Sequence, residues 1–347
     1  MEIRATMNRR AFLGSLGSAV LASAAGCSAL GRTSTTDPSL RLAYDAAPPH
    51  FQAVVMKREG WFDELPVPVE DETASCNSIV QLLVSGQADI GMIGTIPALV
   101  VIDSETPAHA VSASSKNAFV VLVDESVADL FEPGGDGFSA FEAEAGRPFE
   151  LGTYPKGSVS DITARYWIQE ERGESLDDVS LVHLGGPGAA RQALLSGEVD
   201  GAVIPEPTPT LIERTTTAPY RRITDVGEFI PGEPAGVTVV RDEFASEHPD
   251  AVEAFIGRHA EATAFIQNEP DEAAEYMSAV YGGESALDVE TARAALDSPA
   301  TEYVTDPHDI SSGMEILAKY AHRLGKTETA YGTDRIFDTQ YYDRTVE

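Results

Sequence analysis

Seven side chains are of the right type, and stand in the right places, to grip a small molecule without transforming it: Tyr44, Ser75, Asn77, Thr95, Lys156, Ser158 and Glu206. Ser158 follows Lys156-Gly157 and precedes a helix-like run. Its hydroxyl either caps that helix or, with the free N–H groups of the same helix end, helps to hold an anion. Lys156 is either a counter-charge for such an anion or a solvated loop residue. Ser75 and Asn77 stand in the same relation to the apolar stretch 79–84, as donors to a ligand or as helix caps. Thr95 lies just past the apolar run 90–93, and Tyr44 ends another, either stacking on a ligand or packing into a core. Glu206 is discordant: a carboxylate repels a bare oxoanion and welcomes an amine, unless it is simply bonded to nearby backbone.

Bond-making chemistry finds less support. The histidines (His50, His109, His183, His248, His259, His308 and His322) show neither His-x-x-His nor His-Glu-x-x-His spacing. No Gly-x-Ser-x-Gly elbow occurs, and Lys156-Gly157-Ser158 lacks the glycine spacing that precedes a phosphate loop. His50 and His183 each adjoin a candidate loop, and their meeting across a cleft is the arrangement that keeps an enzyme open. The expectation is a binding protein with no catalytic residue, metal or cofactor.

The elements that must position these residues come in two copies. QLLVSGQADIGMIG (81–94) matches QALLSGEVDGAVIP (192–205) at six of fourteen positions, 111 residues apart. In each, a helix-like stretch runs into Ser-Gly, where Gly86 or Gly197 suits the left-handed residue beyond a helix end. A short apolar strand follows, with Asp89 or Asp200 at its start, as in α/β domains. Upstream, 40–45 and 149–154 read as strands, each entering a Pro- or Gly-containing loop and then a helix, 51–59 or 160–172. Two copies are too few for a solenoid and fit two similar lobes. The apolar run 118–123 leads out of the first copy and 236–241 leads back after the second. Lying side by side, they would form a two-strand hinge. Helical periodicity then marks 250–267, 271–280, 289–296 and 310–324, expected to pack around the first lobe, while 132–137 and 216–233 read as surface loops.

The ends and the charge describe an exported protein. Arg9 and Arg10 precede a run of small and apolar residues over 12–25, which is too short for the roughly 20 residues of a bilayer span and reads as a cleavable signal. The pair in Asn-Arg-Arg-Ala-Phe-Leu resembles a twin-arginine signal, which carries folded proteins. LASAAGC (21–27) resembles a lipobox, with Cys27 taking the lipid and 28–38 serving as a flexible tether. Only Cys76 then remains, which excludes an intramolecular disulfide and a cysteine-based metal site. The formal net charge is −32, with Lys57, Lys116, Lys156, Lys319 and Lys326 the only lysines, yet 43% of residues are hydrophobic. That composition points to a folded protein kept soluble in high salt, from a halophile and most simply an archaeon, and it disfavours nucleic acid as a partner.

Lys57-Arg-Glu-Gly-Trp-Phe62, Leu82-Leu-Val-Ser-Gly-Gln-Ala-Asp89, Tyr154-Pro-Lys-Gly-Ser158, and Leu194-Leu-Ser-Gly-Glu-Val-Asp200 followed by Glu206-Pro207 resemble, in that order, the solute-binding proteins for nitrate, sulfonates, taurine and thiamine-pyrimidine precursors. The resemblance covers about 40–325, and Thr95-Ile-Pro resembles that family's small-residue ligand loop. It implies a periplasmic-binding-protein type II α/β fold, each lobe a mostly parallel sheet flanked by helices. Lobe 1 would comprise 39–120 and 240–347, and lobe 2 121–239. It implies a monomer on the outer face of the membrane, closing on a small solute and presenting it to the permease subunits of an ABC transporter. Nitrate- or sulfonate-like anions and taurine lead. A pyrimidine precursor, a related enzyme and an extracellular sensor are the alternatives. In such a fold the ligand lies at the strand carboxyl ends, which selects the loops 44–49, 73–78, 94–97, 154–161, 185–189 and 204–207. The acidic insert 129–137 departs from the family and is expected to decorate the surface.

Overall fold

The computed structural model describes residues 39–132, 134–214, 219–281 and 286–346. The expected signal, Cys27 and the tether 28–38 lie outside the described residues.

The chain first lays down β1 (Leu40–Tyr44), α1 (Phe51–Arg58), β2 (Val69–Thr73), α2 (Cys76–Val84), β3 (Ile90–Gly94), α3 (Thr95–Asp103) and β4 (Ala108–Lys116). It then builds β5 (Phe119–Asp124), α4 (Gly137–Ala145), β6 (Phe149–Thr153), α5 (Val159–Tyr166), β7 (Val179–His183), α6 (Pro187–Ser196), β8 (Gly201–Pro205), α7 (Thr208–Glu213), β9 (Tyr220–Asp225) and α8 (Val226–Phe229). It returns through β10 (Pro234–Arg241) to α9 (Asp242–Glu247), α10 (Pro249–Asn268), α11 (Pro270–Val280), α12 (Val289–Leu296), β11 (Glu302–Tyr303), α13 (Ser311–Arg323), α14 (Thr333–Ile336) and α15 (Gln340–Val346). Among the described residues no helix is long and apolar enough to cross a membrane.

Two sheets result, ordered β11-β4-β10-β3-β1-β2 and β7-β6-β8-β5-β9. In the first, β1 is parallel to β2 and β3, and β10 is antiparallel to β3 and β4. In the second, β6 is parallel to β7 and β8, and β5 is antiparallel to β8 and β9. The repeat read from the sequence is thus a repeat of position: β3 and β8 each lie between a parallel strand and an antiparallel one. The repeated aspartates explain its persistence. Asp89 accepts the backbone N–H of Arg41 at 3.0 Å and returns its own N–H to the Arg41 carbonyl at 2.8 Å. Asp200 does the same with Glu150, at 2.8 Å in both directions. Each side chain thereby fixes the register of two adjacent strands at their starts. Gly86 and Gly197 close the preceding helices at φ 69° and 67°, the left-handed region that glycine enters without penalty.

The hinge differs in detail from the sequence reading. The runs 118–123 and 236–241 do not pair, because each already has both edges bonded within its own sheet. What lies side by side are the links themselves. Asn117 donates its N–H to the Glu233 carbonyl at 2.9 Å, and the Glu233 N–H donates to Asn117 Oδ1 at 3.2 Å. Ala118 donates its N–H to Glu233 Oε2 at 3.1 Å.

Two further expectations are corrected. The stretch 216–233 was expected to be a loop, but it contains β9 and α8. β9 is an edge strand with the mixed sequence YRRITD, so only weak apolar alternation marks it. The C-terminal helices were expected to pack around the first lobe, yet α12 also meets α7 through an Arg214–Glu290 ion pair. Likewise α13 meets α5, and the Tyr320 hydroxyl donates to Gln169 Oε1 at 2.5 Å.

Candidate functional site

A cavity of about 250 Å³ opens between the two sheets, just below the usual range of about 300–1,000 Å³ for small-molecule sites. Every loop selected from the sequence contributes to it. From the first sheet come Asp45, Ala47, Pro49, Ser75, Cys76, Asn77, Gly94 and Pro97, and from the second Tyr154 to Ser160, Gly185 to Pro187, and Pro205, with His50, Phe119 and Ala235 completing the wall. None of the described residues between 129 and 137 lines it.

Four of the seven singled-out residues meet here: Ser75, Asn77, Lys156 and Ser158. Ser75 and Ser158 are also helix caps. Ser75 Oγ accepts the Ser78 N–H at 3.4 Å, and Ser158 Oγ accepts the Asp161 N–H at 3.3 Å. The capping and lining roles therefore coexist. Gly157, at φ 87°, turns the loop so that its N–H donates to Asp161 Oδ2 at 2.9 Å. A Cβ there would come within 2.7 Å of Lys326 Nζ, which places a second cation of this lysine-poor chain beside the loop.

Tyr44, Thr95 and Glu206 do not line this cavity. The Tyr44 ring is in the core and its hydroxyl faces Asp71 Oδ2 at 3.4 Å, the same oxygen that Lys57 Nζ reaches at 2.6 Å. Thr95 is fully buried, and its hydroxyl donates to the Pro234 carbonyl at 2.5 Å, tying the start of α3 to the start of β10. Glu206 takes the Thr210 N–H at 3.0 Å, Arg222 Nη2 at 2.8 Å and the Ser298 hydroxyl at 2.7 Å. The last contact joins the second sheet to the tail that follows α12. A separate void of about 10 Å³ adjoins Glu206, room for about one water.

Sequence reasoning missed Asp45, Cys76 and Tyr154 as individual residues, although it chose their loops. Asp45 accepts the Cys76 thiol at 3.1 Å. Burial raises its pKa, against the opposing pull of the Cys76 thiol and of the Cys76 and Ala47 backbone N–H groups. Burial, reinforced by Asp45, pushes the Cys76 thiol far above its ordinary range, so it stays protonated and unreactive. The Tyr154 phenol is likewise raised by burial and by Asp45. His50 is lowered to about 3 by burial and by nearby His259, and is neutral. His183 does not join it across the cavity, because Nε2 faces Asp161 Oδ1 at 3.2 Å. Burial works to raise Asp161, but Arg165, the Gly157 N–H and His183 outweigh it and hold the carboxyl below its usual range. Among the described residues no cluster of three or more His, Cys, Asp or Glu side chains is placed to hold a metal. Among the described lining residues the one thiol, that of Cys76, bonds to a carboxylate and is held protonated.

Among solved structures the chain is similar to the ligand-binding component of an ABC-type import system from Staphylococcus aureus, solved with zinc bound (TM-score 0.70, 14% identity, covering 88% of this chain and 98% of that one). It is also similar to the periplasmic aliphatic sulphonate-binding protein SsuA of Escherichia coli (TM-score 0.68, 17% identity, 86% and 91% covered). A third is the periplasmic nitrate-binding protein NrtA of Synechocystis (TM-score 0.67, 18% identity, 88% of each chain covered). At such identities the likeness establishes the fold, the two-lobed type II periplasmic-binding-protein architecture. Comparison with curated proteins finds no match. The model of the NMT1-like family matches residues 34–281, well over half of the chain, and the chain belongs to the NMT1-like family.

Proposed function

We propose that this protein captures a small solute outside the cytoplasm and presents it to the permease subunits of an ABC importer, without making or breaking a bond. The observation that carries this reading is the cavity of about 250 Å³, walled by loops of both sheets where the chain crosses between them at two short links. Flexing at those links opens and closes such a cavity in proteins of this architecture. The lobes divide as 39–120 with 240–347, and 121–239. Ser75, Asn77, Lys156 and Ser158 contact the solute, while Tyr44, Thr95 and Glu206 hold the surrounding loops. Relatives named for sulphonate and nitrate, together with Lys156 in the wall, make an anionic group on the solute the first chemistry to test. A thermal-shift screen in high salt against nitrate, alkanesulfonates, taurine, bicarbonate and aminopyrimidines is the experiment. A ligand at a hundred times its Kd adds about 2.7 kcal/mol, and no saturable shift in any arm counts against capture. Ser158→Trp fills the cavity wall and is expected to weaken binding by about tenfold or more, while loss of the α5 cap lowers unliganded stability by about 1 kcal/mol without unfolding the chain.

Export and anchoring belong to the same proposal: twin-arginine export, cleavage before Cys27, and a lipid holding a monomer on the outer face of the membrane. Cys27→Ser should move the protein from the membrane to the soluble fraction. An unchanged distribution rejects the anchor and leaves solute capture intact.

A further inference from the structure

We infer that Lys326, which does not itself line the cavity, acts with Lys156 as a pair of cations that selects a solute bearing two negative charges over one bearing a single charge. The inference rests on the solute-capture reading above and narrows it, since nitrate and simple alkanesulfonates carry one negative charge and taurine none net. Three of the five lysines are neutralised by neighbours. Lys57 lies 2.6 Å from Asp71, Lys319 lies 3.4 Å from Glu315, and Lys116 lies 3.4 and 3.6 Å from Asp309 and Glu302. Among the described residues Lys156 and Lys326 form no ion pair and no side-chain hydrogen bond, although acidic side chains outnumber basic ones by 56 to 24.

Both unpaired lysines meet at one loop. Lys156 precedes Gly157 and lines the cavity with it, and Lys326 Nζ sits where a Gly157 Cβ would come within 2.7 Å. The bare glycine, at φ 87°, therefore admits the amine against the loop backbone. The root of Lys326 is fixed. Its N–H donates to the Ala321 carbonyl at 2.9 Å where α13 ends beside Gly325, and the Glu328 N–H meets the two Asp103 carboxylate oxygens at 3.1 and 3.0 Å. Asp161, which takes the Gly157 N–H, directs its other oxygen to Arg165 at 3.1 Å and pairs with neither lysine. Asp45 is the one carboxylate in the cavity lining, and it belongs to the first-sheet side. Two cations at one loop without a carboxylate repel each other, and a solute with two negative charges removes that repulsion while making two charge-assisted contacts. A monoanion satisfies one lysine and leaves the other unpaired.

Matched pairs test this with the full chain in high sodium chloride, by isothermal titration: ethane-1,2-disulfonate against ethanesulfonate, sulfoacetate against methanesulfonate, and sulfate against nitrate. The first two pairs report two separate anionic groups, and the third a single doubly charged oxoanion. In at least one pair the dianion is expected to bind about tenfold or more tightly than its partner, the effect of one further hydrogen bond between charged groups. Lys326→Met keeps the stem, removes the charge and should bring that ratio towards unity, with Lys326→Gln in its place should the first variant fail to fold. Lys319→Met removes the same charge from a lysine already paired with Glu315 and should leave the ratio unchanged. Equal or tighter binding of the monoanion in every pair, a ratio unchanged at position 326, or an equal fall in Lys319→Met overturns the assignment while leaving solute capture standing. Silence from all six probes overturns it as well, and capture itself falls only if a broad screen of sugars, amino acids, heterocycles and metal ions is also silent.

Discussion

Glu233 is fully buried where the two links meet, with Oε2 on the Ala118 N–H and Oε1 without a partner. Burial raises its pKa to about 8, the Ala118 N–H pulling only weakly the other way. An unfolded glutamate titrates near 4.5. Between those values the folded chain keeps a proton that the unfolded chain has released, so this contribution to stability is full below about pH 4.5 and is lost as pH rises to about 8. Glu233→Gln keeps the shape and removes the titration. The melting temperature of the variant minus that of the wild type should therefore climb between about pH 5 and 8 and stay flat above; a constant difference means Glu233 does not titrate there. His50 and His259 act in the opposite sense. Burial lowers both to about 3, so the stability of keeping them neutral is present above about 6.5 and is lost as pH falls towards 3. At this scale the sequence is a partial guide. The type of residue at a loop is legible, but its direction is not. Tyr44 and Asp45 are neighbours at the end of one strand, and the pleat sends the first into the core and leaves the second on the cavity wall.

The aspartates at the starts of β3 and β8 make the two sheets comparable element by element. Asp200→Ala leaves the Glu150 N–H without its partner and strands Arg147, whose guanidinium reaches both Asp200 oxygens at 2.6 and 2.7 Å. The loss should be about 1–3 kcal/mol, read as a lower melting temperature in high salt, with Asp89→Ala at least as damaging because its carboxylate is more deeply buried. A cost within error at both sites would show that register is held elsewhere. The strand-loop-helix plan was readable because both copies carry the same Ser-Gly stop and the same aspartate. The edge strand β9 was not, because a strand bonded on one side with mixed polar residues carries little apolar alternation. Nor was the reach of α12 onto α7 and of α13 onto α5, since one-dimensional periodicity shows that a helix has an apolar face without showing what that face meets.

Across the whole molecule, 56 acidic side chains face 24 basic ones. Many of the arginines are already paired, as with Arg222 between Glu206, Glu213 and Asp225. The excess charge therefore repels itself over the surface, and salt screens that repulsion with a Debye length that grows from about 3 Å at 1 M to about 10 Å at 0.1 M. The melting temperature should fall steadily as salt is withdrawn, and a midpoint indifferent to salt rejects self-repulsion as the governing term. The interleaving of the sheets adds a constraint in time. In its sheet β4 lies between β10 and β11, both of which follow the entire five-stranded sheet in the chain. A nascent chain that has emerged only as far as Glu233 holds all five strands of the second sheet, but of the first only β1, β2 and β3 with partners to bond. Synthesis thus completes the strands of the five-stranded sheet first, and the six-stranded sheet waits for β10 to close it.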